Sequence, residues 1–188
     1  MKHNKSLITV RAIACCALLA ALSIVMARLL SFATPDGVRW SLDKFPLFLA
    51  GMLFGPVMGA MTGFVADTIG SLMQFGFNPF FCPPPILYGL FGGLFRLFLA
   101  KKCTVLRLGF SYLFPIVLGS ILYQSCALSA FYFDGTFFAG LLYYLGTRTF
   151  QFSIMLVAEV FILFTLMKLN VFTRIGLWPP VKYERKSS

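Results

Sequence analysis

Residues 45–70 read FPLFLAGMLFGPVMGAMTGFVADTIG, and the fold turns on how this stretch is divided. Glycines stand at 51, 55, 59 and 63, and the next step of four lands on Asp67. Pro56 lacks an N–H and disfavours a helical residue before it, so the run splits into two apolar helices, 45–54 and 56–74, meeting at Gly55-Pro56. On the second helix Gly59, Gly63 and Asp67 share one face, because four residues at 3.6 per turn drift by only ~40°. Small residues on one face let another backbone or a flat ligand come close, and helix packing is the plainer use of such a face. A carboxylate in so apolar a setting is costly without a partner, which makes Asp67 the first candidate for function.

The rest of the chain agrees with a membrane setting. Of its 188 residues, 59% are hydrophobic and 12% charged. A soluble domain sits nearer ~45–50% apolar and ~25% charged. No polar linker divides the chain, so residues 1–188 are expected to form a single membrane domain. The formal charge of +10 is scattered between apolar segments, which reads as topology signals and not as a nucleic-acid face. The five cysteines form no CxxC pair and His3 is the sole histidine, so no metal centre, cofactor, disulfide framework or Ser-His-Asp set is expected. No GxxxxGK[ST] loop is present, which leaves the chain without P-loop ATPase chemistry of its own.

Apolar spans are expected at about 12–32, 45–54, 56–74, 86–100, 108–130 and 139–168. A basic start before an apolar run also fits a cleaved signal peptide, but this run is longer than the usual ~7–15-residue apolar core and further spans follow it. In the first span Ala17 and Ala21 lie four apart with Ala20 and Ser23 beside them, a small-residue face suited to close helix contact. Arg28 lies near its far end. Residues 33–44, ATPDGVRWSLDK, read as a polar loop turning at Pro35-Asp36-Gly37, with Arg39 and Trp40 held against the membrane. Trp40 also suits an interfacial anchor. Residues 74–85, QFGFNPFFCPPP, form an aromatic loop whose three prolines suit a helix start but not a helix interior. Pro115 predicts a kink in the fifth span. The last span carries Arg148 and Gln151 on one face, with Glu159 two to three turns further in.

Six spans put both termini on one side of the bilayer. Twelve of the 16 Lys and Arg residues fall on that side, and Arg28, Arg39, Lys44 and Arg148 fall on or towards the other. The positive-inside rule makes the termini cytoplasmic. The fold class expected is therefore an all-α integral membrane protein, a six-transmembrane-helix bundle. On its outward half Arg28, Arg39, Asp67, Gln124, Arg148 and Gln151 can converge, ringed by Trp40, Phe81 and Tyr123. Arginines, a buried acid and aromatics suit a flat ligand bearing carboxylates. An Asp67–Arg148 pair that only holds the bundle together is the competing use, and a membrane scaffold with glycine faces for packing is the competing class.

Three stretches carry a family likeness: ALLAALSIVMARLLSF (17–32), the AGxLFGPxxGxxxGxxAD pattern within 45–73, and GTRTFQFSIMLVAE (146–159). The chain resembles the substrate-binding (S) components of energy-coupling-factor (ECF) vitamin transporters, the folate family most closely. The resemblance implies a plasma-membrane subunit that captures a vitamin from outside and docks on a transmembrane coupling protein carrying two cytoplasmic ATPases. It implies that the Ala17/Ala21 face, with Ala20 beside it, meets the coupling protein and that the 33–44 loop gates the site. Toward folate, Asp67 is expected to accept from the pterin edge, Arg28, Arg39 and Arg148 to hold carboxylates, and Trp40, Phe81 and Tyr123 to stack. Gln124 and Gln151 complete the set. Folate-family members often read like YFPGFTLSAALSG where this chain has FFCPPPILYGL (80–90), so riboflavin or a queuosine precursor stand as other ligands.

Overall fold

The division at Gly55-Pro56 is where the backbone turns. In a computed structural model, Gly55 adopts φ +103°, a conformation that side-chain-bearing residues rarely take, and its N–H closes the preceding helix onto the Gly51 carbonyl at 2.7 Å. Helix α2 (Phe45–Phe54) ends there, and α3 (Pro56–Leu72) begins with Pro56 in its first turn, where a missing N–H costs nothing. The structure describes residues 10–33, 39–73, 78–101, 104–132, 135–169, 171–174 and 176–178.

The described chain is all-α apart from one short ribbon. Helix α1 (Val10–Leu29) leads into β1 (Ser31–Ala33), which pairs antiparallel with β2 (Arg39–Ser41) in the register Phe32 opposite Trp40. The expected open loop is thus a two-stranded ribbon at its ends; its Pro35-Asp36-Gly37 turn lies outside the described residues. After α3, a 3₁₀ turn (Pro79–Phe81) precedes α4 (Pro83–Leu94). The three prolines occupy the first turn of α4, as their missing N–H groups require.

Two spans differ from expectation. The fourth breaks at Phe95 and continues as α5 (Arg96–Lys101). The fifth has a wider coil where a kink was expected. Helix α6 (Val105–Pro115) passes into a π-helical segment, Ile116–Tyr123, and then α7 (Gln124–Tyr132). Pro115 cannot donate to the carbonyl one turn back, and the ladder after it slips to the longer spacing. Helix α8 (Phe137–Lys168) and the short α9 (Val171–Arg174) follow.

Among the described residues three helices are long and apolar enough to cross a membrane: Val10–Leu29, Val105–Phe131 and Phe137–Lys168. Their outer faces carry Leu18, Leu22, Leu118, Val157 and Phe161 exposed, a surface that suits lipid and not water. Helices α2, α3 and α4 form the centre, and their glycines are the contact. A Cβ on Gly51 would stand 1.9 Å from the Gly89 carbonyl oxygen, one on Gly59 2.3 Å from that oxygen, and one on Gly63 2.3 Å from the carbonyl oxygen of Pro85. Gly59 and Gly63 of the ladder quoted first thus form a seam along which α3 and α4 touch backbone to backbone, and Gly51 brings α2 onto the same α4 carbonyl. Phe48, Met52, Tyr88, Tyr112 and Leu163 fill the core beside it.

Candidate functional site

The seam sets the place of Asp67. Gly59 lies against Gly89 and Gly63 against Pro85, so a further turn along α3 corresponds to a further turn back along α4, at the residues just before Pro83. There the half-buried carboxylate of Asp67 is hydrogen-bonded to the thiol of Cys82. Cys82 is buried, 5% exposed, and burial followed by the adjacent Asp67 pushes its thiol up to about 12, which keeps the S–H as the donor.

A second acid stands where the ribbon meets α2. Asp43 accepts from Ser41 Oγ at 2.5 Å on one oxygen and pairs with Lys44 Nζ at 2.6 Å on the other. Ser23 Oγ of α1 donates to the Asp43 carbonyl at 2.7 Å, which ties the ribbon's exit to the first helix. The charges of Asp43 and Lys44 act on both Asp67 and Glu159. Glu159, 1% exposed on α8, accepts from Tyr112 Oη at 2.7 Å, and its other oxygen has no hydrogen-bond partner of good geometry. Tyr88, packed on Tyr112 with ring centres 5.4 Å apart, shares a 3.0 Å hydrogen bond with Ser120 in the π segment. Charged and hydroxyl groups from residues 43–44 just before α2 and from α3, α4, α6, the π segment and α8 thus lie within reach of one another, as intramembrane polar residues do when they serve a site.

The residues singled out in the sequence fall into three groups. Asp67, Arg148 and Gln151 face inward. The Arg148 guanidinium lies 5.9 Å from the centre of the Phe152 ring, its Nε buried without a partner, and Gln151 is 5% exposed. Arg28 donates to the Gly70 carbonyl near the end of α3, one turn beyond Asp67. Trp40 packs on the core from the ribbon, Phe81 is half-buried in the 3₁₀ turn, and Tyr123 and Gln124 mark the join of the π segment to α7, Tyr123 being 37% exposed. The Arg39 side chain lies outside the described residues, although its backbone pairs with Ala33.

On α1, Ala17 and Ala21 are exposed along one face, while Ala20 is 4% exposed and belongs to the core. Three residues leave Ala20 ~60° to one side of Ala17 and four leave Ala21 ~40° to the other, so Ala20 stands ~100° from Ala21 and packs into the bundle where a surface position beside them was expected. Asp43, Cys82, Tyr88 and Tyr112 are not singled out by the sequence, in which Lys44 reads only as a topology charge. Their one sequence signal is polarity or a thiol at the margin of an apolar span.

The chain matches the family model of the ECF-type riboflavin transporter, S component, over residues 7–173, and it belongs to that family. It is a transporter's substrate-binding membrane subunit. Among solved structures it is similar to the crystal structure of FolT bound with folic acid, with a TM-score of 0.66 and 27% identity, covering 82% of this chain and 93% of that one. Among curated proteins none matches.

Proposed function

We propose that the chain captures folate, or a related pterin vitamin, at the outer face of the plasma membrane and delivers it through an ECF module. The likeness to folic-acid-bound FolT over 93% of that protein carries the reading. The site's chemistry supports it. A pterin edge offers adjacent N–H donors to a carboxylate such as Asp67, and the two carboxylates of folate call for cations such as Arg39 and Arg148. In this reading Asp67 takes the pterin edge, Arg28, Arg39 and Arg148 serve the carboxylates, Trp40, Phe81 and Tyr123 stack, and Gln124 and Gln151 supply polar contacts.

The family's riboflavin description favours a second ligand. Riboflavin is uncharged, however, and would leave Arg148 buried beside no anion. Titration of the purified protein with folate, riboflavin, thiamine and biotin by calorimetry decides between them. Sub-micromolar folate binding that is lost in Asp67→Asn supports the proposal, and riboflavin binding without folate binding replaces it.

The bundle is proposed to make six crossings with both termini cytoplasmic, from the distribution of Lys and Arg. The partners are a transmembrane coupling protein and two ATPase subunits, the exposed Ala17/Ala21 face of α1 being the docking surface. No ATP chemistry belongs to this subunit itself. Co-purification of an ATPase pair with the intact chain, abolished by Ala17→Leu/Ala21→Leu, tests this part.

A further inference from the structure

Asp67 raises a physical question that its proposed ligand does not answer: what holds the carboxylate when the site is empty. Among the described residues the salt bridge is Lys44–Asp43, and no salt bridge reaches Asp67. Arg28 of α1 reaches this end of α3 by donating to the Gly70 carbonyl, one turn beyond Asp67. A carboxylate beside a helix start ordinarily takes donors from first-turn N–H groups. Here α4 opens with Pro83, Pro84 and Pro85, which have none. The Cys82 N–H, for its part, points back to the Pro79 carbonyl at 3.4 Å. The donor left at this helix start is the Cys82 thiol.

Its reach follows from the glycine seam. Gly59 against Gly89 and Gly63 against Pro85 bring the two backbones so near that a short side chain from residue 82 meets Asp67. We infer that Cys82 is a positioning residue for substrate: its thiol donates to Asp67, fixes the carboxylate's orientation, and leaves the remaining lone pairs directed at the ligand. This inference rests on the reading of Asp67 as a ligand contact. It assigns a role to the segment FFCPPP (80–85), where the chain departs from the folate-family pattern.

The test compares folate affinity in Cys82→Ser, which keeps a donor, with Cys82→Val, which keeps apolar bulk without one. A hydrogen bond to a charged group, weakened because a thiol is a poor donor, corresponds to roughly a tenfold loss of affinity in Cys82→Val. Cys82→Ser is expected to stay within about threefold of the unsubstituted chain. Val binding as tightly as Cys, or Ser binding as weakly as Val, overturns the inference. Absence of folate binding in the unsubstituted chain instead overturns the proposed ligand. A second measurement stands apart from ligand affinity: the S–H stretching band in the infrared difference spectrum between the unsubstituted chain and Asp67→Asn. A thiol band that moves toward the free-thiol position in Asp67→Asn is expected, and a flat difference in that region overturns the thiol–carboxylate contact.

Discussion

Replacing Gly89 by alanine is the sharpest perturbation of the seam on which the site is built. The added Cβ would stand 2.0 Å from the Gly59 carbonyl oxygen and 2.9 Å from the Ala60 nitrogen, both of them backbone atoms that no rotamer can move aside. An ordinary carbon-to-carbonyl approach is about 3.3 Å, so α3 and α4 must separate by roughly 1.3 Å. A gap of that size forfeits at least a quarter to a half of each affected dispersion contact along the seam, and overpacking of this kind costs about 1–3 kcal/mol or more. The natural control is Gly109→Ala on α6, where a Cβ meets nothing within 4 Å. That change is expected to be neutral or to stabilise by about 0.5–1 kcal/mol, since alanine is the better helix former. Equilibrium unfolding of both variants in mixed micelles should separate them by about 1–4 kcal/mol. Agreement of the two within about 0.5 kcal/mol would show that α3 and α4 do not touch backbone to backbone, and the placement of Asp67 against Cys82 would go with it.

The remaining predictions concern the polar interior and the ligand. Tyr112→Phe removes the donor to a buried carboxylate and should cost about 1.5–3 kcal/mol of unfolding free energy, whereas Tyr88→Phe, which breaks only the hydroxyl pair with Ser120, should cost about 1 kcal/mol. In a double-mutant cycle Tyr112→Phe and Glu159→Ala should be non-additive by at least about 0.5 kcal/mol; strict additivity would deny the contact. Folate at a hundred times its dissociation constant should stabilise the chain by about 2.7 kcal/mol in a thermal melt, with riboflavin producing no shift. Ala17→Leu/Ala21→Leu should leave folate affinity unchanged while weakening assembly with the coupling protein, and weakened binding of both would place those residues in the fold and not in the docking face.

Much of this was legible in residues 45–70, because steric rules are local: Pro56 ends one helix, Gly55 supplies the left-handed turn, and glycines four apart must share a face. What spacing lacks is the second surface. Nothing in the ladder says that Gly51 and Gly59 both lie on the Gly89 carbonyl, or that the next rung pairs Asp67 with Cys82; those are facts of how α4 crosses. The π segment after Pro115 was out of reach for a related reason. A proline removes one hydrogen bond in any helix, and whether the coil then kinks or widens depends on its neighbours, here Pro84, which a Cβ on Gly119 would meet at 3.2 Å. The ribbon strands, SFA and RWS, are three residues each, too short for an alternating pattern to show. Charge was the least legible quantity. Lys44 reads as a topology signal in sequence, yet in the fold it is bound to Asp43 and acts on both Asp67 and Glu159. Among the described residues, three acids, Asp43, Asp67 and Glu159, stand in or at the edge of the bundle with Lys44 and Arg148, and Arg28 donates to backbone. A buried set of this kind is stable only where partners are shared. In the proposed reading, a ligand bringing N–H donors to Asp67 and carboxylates to Arg148, whose Nε is buried without a partner, suits this bundle better than an uncharged one, and Asp67 without Cys82 would be a weaker host for it.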